Sequence, residues 1–466
     1  MIFADKTPAR LPPGPTTPAL WQTYLAVAKP LEYIRELLAR YGDVSSFRTL
    51  SGRGISVSDP GLAREVFAAP PESFAVPFIA PSVFGREAVI ATSGATHKRQ
   101  RKLLNPHFHG ARIKALLGTM SAVVYRRVAA VPRGEVIALT DLTRGIALDI
   151  ILEAIFGDAD EGAHVRGREI LNEMVHAFSP SFLPSQRLHS RFFPPWRRYA
   201  EARAVFDVWV DGLIADRRRR GALGDDLLGL FLVTTYDDES ARSSERVLAN
   251  AMGDSEIRDQ LVTLLLAGHE TSATAIAWAL YYLLKDPPTL ARLRAEIGTN
   301  RSPEALVKNA YLGAVGSEAL RIEPIVTDVM RVCAGRFQLR EWTLEKGEAI
   351  AVMITGILRS ARIYPEPDRF RPERFLEKSY TATEFLPFGG GSRRCLGAAF
   401  AESEMAIAIG TIASEWQLEL ADAEPERSVR HNITMGPARG VRVRFGRPTS
   451  ASPSTTRQPS AASALR

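Results

Sequence analysis

Apolar residues recur at helical spacing from about Thr96 to Arg321, while shorter runs at Ser45–Leu50, Gly54–Ser58 and Ala349–Ile354 alternate like strands. The longest apolar stretch, Leu261–Leu284, reads LVTLLLAGHETSATAIAWALYYLL and is long enough to cross a bilayer. His269 and Glu270 stand near its middle, where ionisable groups are costly in lipid. Extended back to Asp254 and forward to Asp286-Pro287-Pro288, the segment predicts a helix of about 31 residues, roughly 46 Å long. A helix apolar on all sides in a non-membrane protein runs through the centre of a large helical domain. The pattern thus predicts a mainly α fold with a small β-rich lobe, and no internal repeat.

The ends read differently. Leu11-Pro12-Pro13-Gly14-Pro15 is stiff, because proline fixes φ. Residues Met1–Arg10 lack the apolar core of a signal peptide. From Arg447 to Arg466 the chain is rich in Ser, Pro, Thr and Ala, which bury little surface. The expected organisation is a flexible segment 1–10, one domain over 11–446 and a disordered tail over 447–466.

Composition narrows the class without deciding it. The 466 residues are 45% hydrophobic and 24% charged, which is ordinary for a globular chain with a sizeable core. A net charge of +7 is mild for this length, and the run Arg217-Arg218-Arg219-Arg220 reads as a solvated helix end, so no nucleic-acid partner is expected. The two cysteines, Cys333 and Cys395, stand in unlike contexts and imply no disulfide framework, which agrees with a cytoplasmic location.

Cys395 carries the sharpest chemical signal. It lies in Phe388-Gly389-Gly390-Gly391-Ser392-Arg393-Arg394-Cys395-Leu396-Gly397. Glycines let backbone approach a flat group with no Cβ in the way. Arg393 can offer charge-assisted hydrogen bonds to a carboxylate. A thiolate is a soft axial ligand for haem iron. The competing readings are weaker: a phosphate loop wants Gly-Lys-Ser/Thr after the glycines, zinc wants about four ligands, and a lone buried cysteine needs none of this context.

A second signal lies inside the long apolar helix, at Ala267-Gly268-His269-Glu270-Thr271. Gly268 weakens the helix locally, and the Thr271 hydroxyl can bond back to the Ala267 carbonyl and bend it. An acid beside a hydroxyl suits proton delivery. Alone, the motif could be an incidental polar patch.

The cysteine loop resembles the haem-binding loop of the cytochrome P450 superfamily, and the helix motif resembles that family's oxygen-activation segment. The resemblance covers nearly the whole chain and implies the cytochrome P450 fold, mainly α with a small β-rich lobe, and haem b held by Cys395, with Phe388, Gly389 and Gly397 also binding it. By the same resemblance, Gly268 opens a groove for oxygen, Thr271 hydrogen-bonds the activated oxygen and Glu270 relays protons. His97 and Arg101, four residues apart on one helix face, resemble the family's propionate-binding pair, and Arg331 and Arg393 would complete it. Glu318-Ala319-Leu320-Arg321, with Arg374 in Phe370-Arg371-Pro372-Glu373-Arg374-Phe375, resembles a buried structural charge network. Phe78, Val83, Phe84, Leu264, Ala267, Ile325, Val326, Val329 and Thr434 are the implied substrate-pocket positions.

The implied reaction inserts one atom of O2 into a hydrophobic small molecule such as a fatty acid, terpenoid, steroid or polyketide. No flavin or nicotinamide segment is visible, so electrons are expected from a separate ferredoxin or flavodoxin with an NAD(P)H-dependent reductase. Lys98, Arg99, Lys102 and Arg394 are candidates for a basic docking face. No membrane anchor is expected, and the protein is expected to be a monomer. The alternatives are a haem-thiolate isomerase or peroxygenase, or a non-catalytic haem-binding protein.

Overall fold

The computed structural model describes residues 11–157, 161–182, 185–221, 226–233 and 252–448. The segments expected to be unstructured, 1–10 and most of 447–466, lie outside the described residues. Arg447 and Pro448 do not: they end the strand Arg442–Pro448, where Pro448 pairs with Trp416.

The long apolar segment forms one helix, Asp254–Lys285. Asp254 and Glu256 in its first turn and Lys285 in its last complement the helix dipole. Asp286 ends it and accepts from the Thr289 amide to cap the next helix, which begins at Pro287. Among the helices that pack on it, Leu139–Phe156, Ala310–Ile322 and Ala398–Glu415 do so most extensively. Its side chains from Ser272 to Leu280 are all buried. Among the described residues, no helix is long and apolar enough to cross a membrane.

Strands gather in small sheets, as the pattern suggested. The largest runs in the order Val44–Thr49, Gly52–Val57, Ala349–Val352, Val329–Cys333, Phe74–Ala75. The two strands expected near the N-terminus and the one at Ala349 are all here, and Ile354 instead opens a short helix. Gly52–Val57 and Ala349–Val352 pair in parallel, so close that a Cβ on Gly54 would lie 1.9 Å from the Ala349 carbonyl oxygen. The strand Val329–Cys333 lacked an alternating signal in sequence; it brings Arg331 into the sheet, opposite Ile350.

Beneath this sheet lies a closed charge cluster. Glu318 and Arg321 are both 0% exposed and Arg374 is 2% exposed. Arg321 grips Glu318 through two parallel bonds of 2.7 and 2.9 Å, and Arg374 Nε reaches the same carboxylate at 3.1 Å. The Arg371 amide adds a fourth bond at 2.9 Å, while carbonyls of Leu358, Pro365 and Arg369 take remaining guanidinium protons. Such a cluster need not stabilise more than apolar packing does, but removing one partner strands the others. Glu318→Ala is therefore expected to lower the unfolding free energy by about 3–5 kcal/mol, or to leave too little folded protein to melt. Glu169→Ala, which breaks an exposed helix pair with Arg166, should cost less than about 1 kcal/mol. Equal denaturation midpoints for the two variants would mean that the buried cluster contributes no more than a surface pair.

Candidate functional site

The cysteine loop is held by its own backbone. The Cys395 amide donates to the Phe388 carbonyl at 2.9 Å, and the Arg394 amide to that of Gly391 at 3.1 Å. Gly389 and Gly391 take φ of 67° and 68°, which side chains disfavour. Two of the glycines also make room for protein. A Cβ on Gly390 would lie 2.3 Å from the Phe67 ring, and one on Gly391 would lie 2.4 Å from the Phe67 carbonyl oxygen. They let the loop seat on the end of the helix Pro60–Ala68, whereas a Cβ on Gly397 meets nothing.

The two cysteines separate cleanly. Cys333 is buried in the β-rich lobe, where burial and then Glu348 push its thiol up to about 11. Cys395 opens onto a cavity of about 540 Å³ just before the helix Ala398–Glu415. Its sulfur is reachable from the cavity yet surrounded by protein, so desolvation raises its pKa. The Gly397 amide and the charges of Arg394 and Arg101 act the other way.

His97, Arg101, Arg331 and Arg393 all line this cavity. Arg101 donates to the Arg394 carbonyl at 2.9 Å, Arg393 to that of Thr92 at 2.5 Å, and Arg331 to that of Gly390 at 3.4 Å. Arg331 also lies over the Phe67 ring. None of these three guanidiniums forms an ion pair among the described residues. Burial, with Arg393 beside it, lowers the Arg331 pKa to about 10. Burial and the three arginines hold His97 down to about 4, so it is neutral at physiological pH. A set of desolvated cations without an internal acid, facing a thiol, fits a group that carries both carboxylates and a thiol-binding metal. Haem b is such a group. Phe388 and Gly389 are not on the cavity wall; Phe388 packs into the main core, with Arg394 over its ring.

The central helix presents Thr263, Leu264, Ala267, Gly268, Thr271 and Ser272 to the cavity, one stripe at helical spacing. The Thr271 hydroxyl donates to the Ala267 carbonyl at 2.8 Å, as its position suggested. Glu270 is buried beside His269 rather than on the wall. His269 is also buried, its ring bonded to the Leu265 carbonyl at 2.6 Å. An acid that sequence reading missed stands behind the stripe. Glu404 is buried, hydrogen-bonds Ser272 and is pushed by burial up to about 8. Its Oε1 has no partner among the described residues.

Val83, Phe84, Leu264, Ala267 and Val329 line the cavity where pocket residues were expected. Four expected residues do not. The Phe78 ring turns to His189, Ile325 joins the main core, Val326 packs on the β-rich lobe, and Thr434 bonds the His431 carbonyl within its hairpin. In that hairpin, neighbouring Ile433 reaches the wall instead. Asp328, unforeseen, also faces the cavity.

With this geometry in place, the comparisons are direct. The family model described as Cytochrome P450 matches residues 12–442. A relative designated cytochrome P450 138 in Mycobacterium tuberculosis is 33% identical over 93% of this chain and 96% of its own length. Another, designated cytochrome P450 137 in the same species, is 35% identical over 93% of this chain and 91% of its own. The solved structure of the cyanobacterial protein CYP120A1, with retinoic acid bound, superposes with a TM-score of 0.81 at 22% identity. It covers 93% of this chain and 99% of that one, and it shows the shared fold.

Glu404 yields a pH test whose sign is fixed. Its ordinary value is 4.5 and its folded value about 8. Across that window the folded chain keeps a proton that the unfolded chain has released, so stability falls as pH rises and levels off above the folded value. In denaturant melts, wild type is expected to lose on the order of a few kcal/mol against Glu404→Gln across this window. Parallel curves for the two proteins would show that Glu404 is not held neutral.

Proposed function

Since the chain belongs to the cytochrome P450 family, we propose that Cys395 is the axial thiolate of its haem and that the cavity above that sulfur is its oxidation site. The enzyme is a monooxygenase with haem b as cofactor, and it uses O2 and a redox partner. Bound through a thiolate, the haem receives electron density that favours O–O cleavage. The observation that carries the assignment is one shared wall: the Cys395 sulfur, three guanidiniums without internal acids, and the Thr271 hydroxyl all face the same space.

Each group then has a task. Arg101, Arg331 and Arg393 hold the two propionates through charge-assisted bonds, which stabilise desolvated cations that the fold leaves without counter-ions. Neutral His97 contributes one ring N–H. The apolar wall from Val83, Phe84, Leu264 and Val329 excludes water and holds a hydrophobic substrate, whether fatty acid, terpenoid, steroid or polyketide. The reaction balances as RH + O2 + two electrons + two protons giving ROH + H2O. Thr271, its own proton on the Ala267 carbonyl, offers its hydroxyl oxygen to the cavity and passes protons toward the reacting centre. Glu270 supplies them from the flank of the helix, and Glu404 through Ser272 is a second store.

Electrons arrive from outside. Lys98, Arg99, Lys102 and Arg394 are exposed, and the helix Gly94–Leu104 carries no acid. An acidic ferredoxin or flavodoxin fits this face, drawn by electrostatic steering that weakens with salt.

Thr271→Ala tests the oxygen-handling role. The variant should retain haem and substrate binding and continue to consume NAD(P)H through a surrogate ferredoxin system. Product per NAD(P)H should fall about tenfold or more while hydrogen peroxide rises, given that one positioned proton donor is commonly worth about 10²–10⁴ in rate. Thr271→Ser, which keeps the hydroxyl, should stay within a fewfold of wild type. Unchanged coupling in Thr271→Ala would remove the hydroxyl from the mechanism and favour a peroxide-driven or isomerase reaction.

A further inference from the structure

The charged groups on the cavity wall are His97, Arg101, Asp328, Arg331, Arg393, Arg394 and Cys395. All but Asp328 belong to the thiol and the cationic collar. Asp328 immediately precedes the strand Val329–Cys333 and is half-buried. Thr327 donates to its Oδ1 at 2.9 Å, and the carboxyl has no other hydrogen bond among the described residues. Arg430 is near enough to be felt, but it turns to the Ala26 carbonyl at 3.2 Å and forms no ion pair with Asp328 among the described residues. The rest of the wall away from the collar is mostly apolar, including Ile79, Val83, Phe84, Ile151 and Phe178.

A carboxyl placed this way is costly unless a partner arrives. Burial raises the Asp328 pKa against the opposing effects of Thr327 and Arg430, as expected for an acid that lacks a close cation. An ammonium group beside it would act as Arg430 does, only closer. A ligand carboxylate would meet like charge or force Asp328 to stay protonated.

We propose that Asp328 determines substrate specificity by pairing, inside the cavity, with a cationic nitrogen on an otherwise apolar substrate. The proposal rests on the reading that cofactor carboxylates engage Arg101, Arg331 and Arg393, since without them these guanidiniums would draw an anionic ligand to the wall. It narrows the substrate class: lipophilic amines are favoured and simple fatty acids disfavoured.

The test uses ferric holoenzyme and three probes of equal chain length: octyltrimethylammonium, octanol and octanoate. A quaternary nitrogen cannot ligate iron, so its spectral titration reports cavity binding alone, and equilibrium dialysis of all three probes gives affinities that do not depend on ligation. Wild type should bind the cation about tenfold or more tightly than octanoate. Asp328→Asn should abolish that preference and leave octanol affinity within about twofold. Equal affinities for cation and octanoate in wild type would overturn the proposal, and so would a preference that survives in Asp328→Asn. If Asp328→Asn fails to load haem, the wild-type comparison still decides. The reduced, carbon monoxide-bound spectrum separates the two levels: a wild type with a thiolate band but no charge preference sinks this proposal alone, whereas a wild type without that band sinks both.

Discussion

Three half-buried guanidiniums on one cavity wall without an internal carboxylate set the terms for the rest of this structure. Desolvated positive charge is unfavourable unless a counter-ion is supplied, and here Arg101, Arg331 and Arg393 hold only backbone carbonyls. The fold is therefore incomplete electrostatically until an anionic group enters. A dicarboxylate cofactor would supply most of the missing charge, and Cys395 on the same wall would hold its metal. Cofactor binding and completion of the fold are, on this account, one event.

The contrast with Glu318, Arg321 and Arg374 makes the point sharper. Both clusters bury arginine, and both lie close to the β-rich lobe. In the first, Glu318 pairs with both guanidiniums and backbone carbonyls take their other donors. In the second, the chain supplies no acid, and the unmet demand becomes a binding site. Phe67 ties the open cluster to the lobe, since it meets Arg331 on one side and Gly390 and Gly391 on another. The loop that carries the thiol and the strand that carries Arg331 are thereby kept in one register.

Local features were legible in the sequence because their chemistry is local. The Cys395 loop, the Thr271 back-bond and the Glu318–Arg321 spacing each lie within about ten residues, and the long apolar helix was bounded by acids and prolines. Features that depend on meeting across the fold were not. Glu404 sits nine-tenths of the way along the chain, in an apolar helix, and acquires meaning only when Ser272 packs against it. Asp328 belongs to no motif, and it gains a role only when the chain before the strand Val329–Cys333 brings it to the cavity wall. Ile325, Val326 and Thr434 were placed on the cavity by the family resemblance, but here Ile325 and Val326 pack into the cores and Thr434 bonds within its hairpin. The crowding of Gly390 and Gly391 by Phe67 was likewise not legible, because it depends on a helix far away in the sequence.

The most direct measurement is the reduced, carbon monoxide-bound spectrum of Cys395→Ser beside Cys333→Ser. Serine oxygen is a far weaker iron ligand than a thiolate, and Cys333 lies in the core away from the cavity. The account predicts that Cys395→Ser loses the thiolate band while Cys333→Ser keeps it. A thiolate band that survives in Cys395→Ser, or one that disappears in Cys333→Ser from protein that still binds haem, would contradict it.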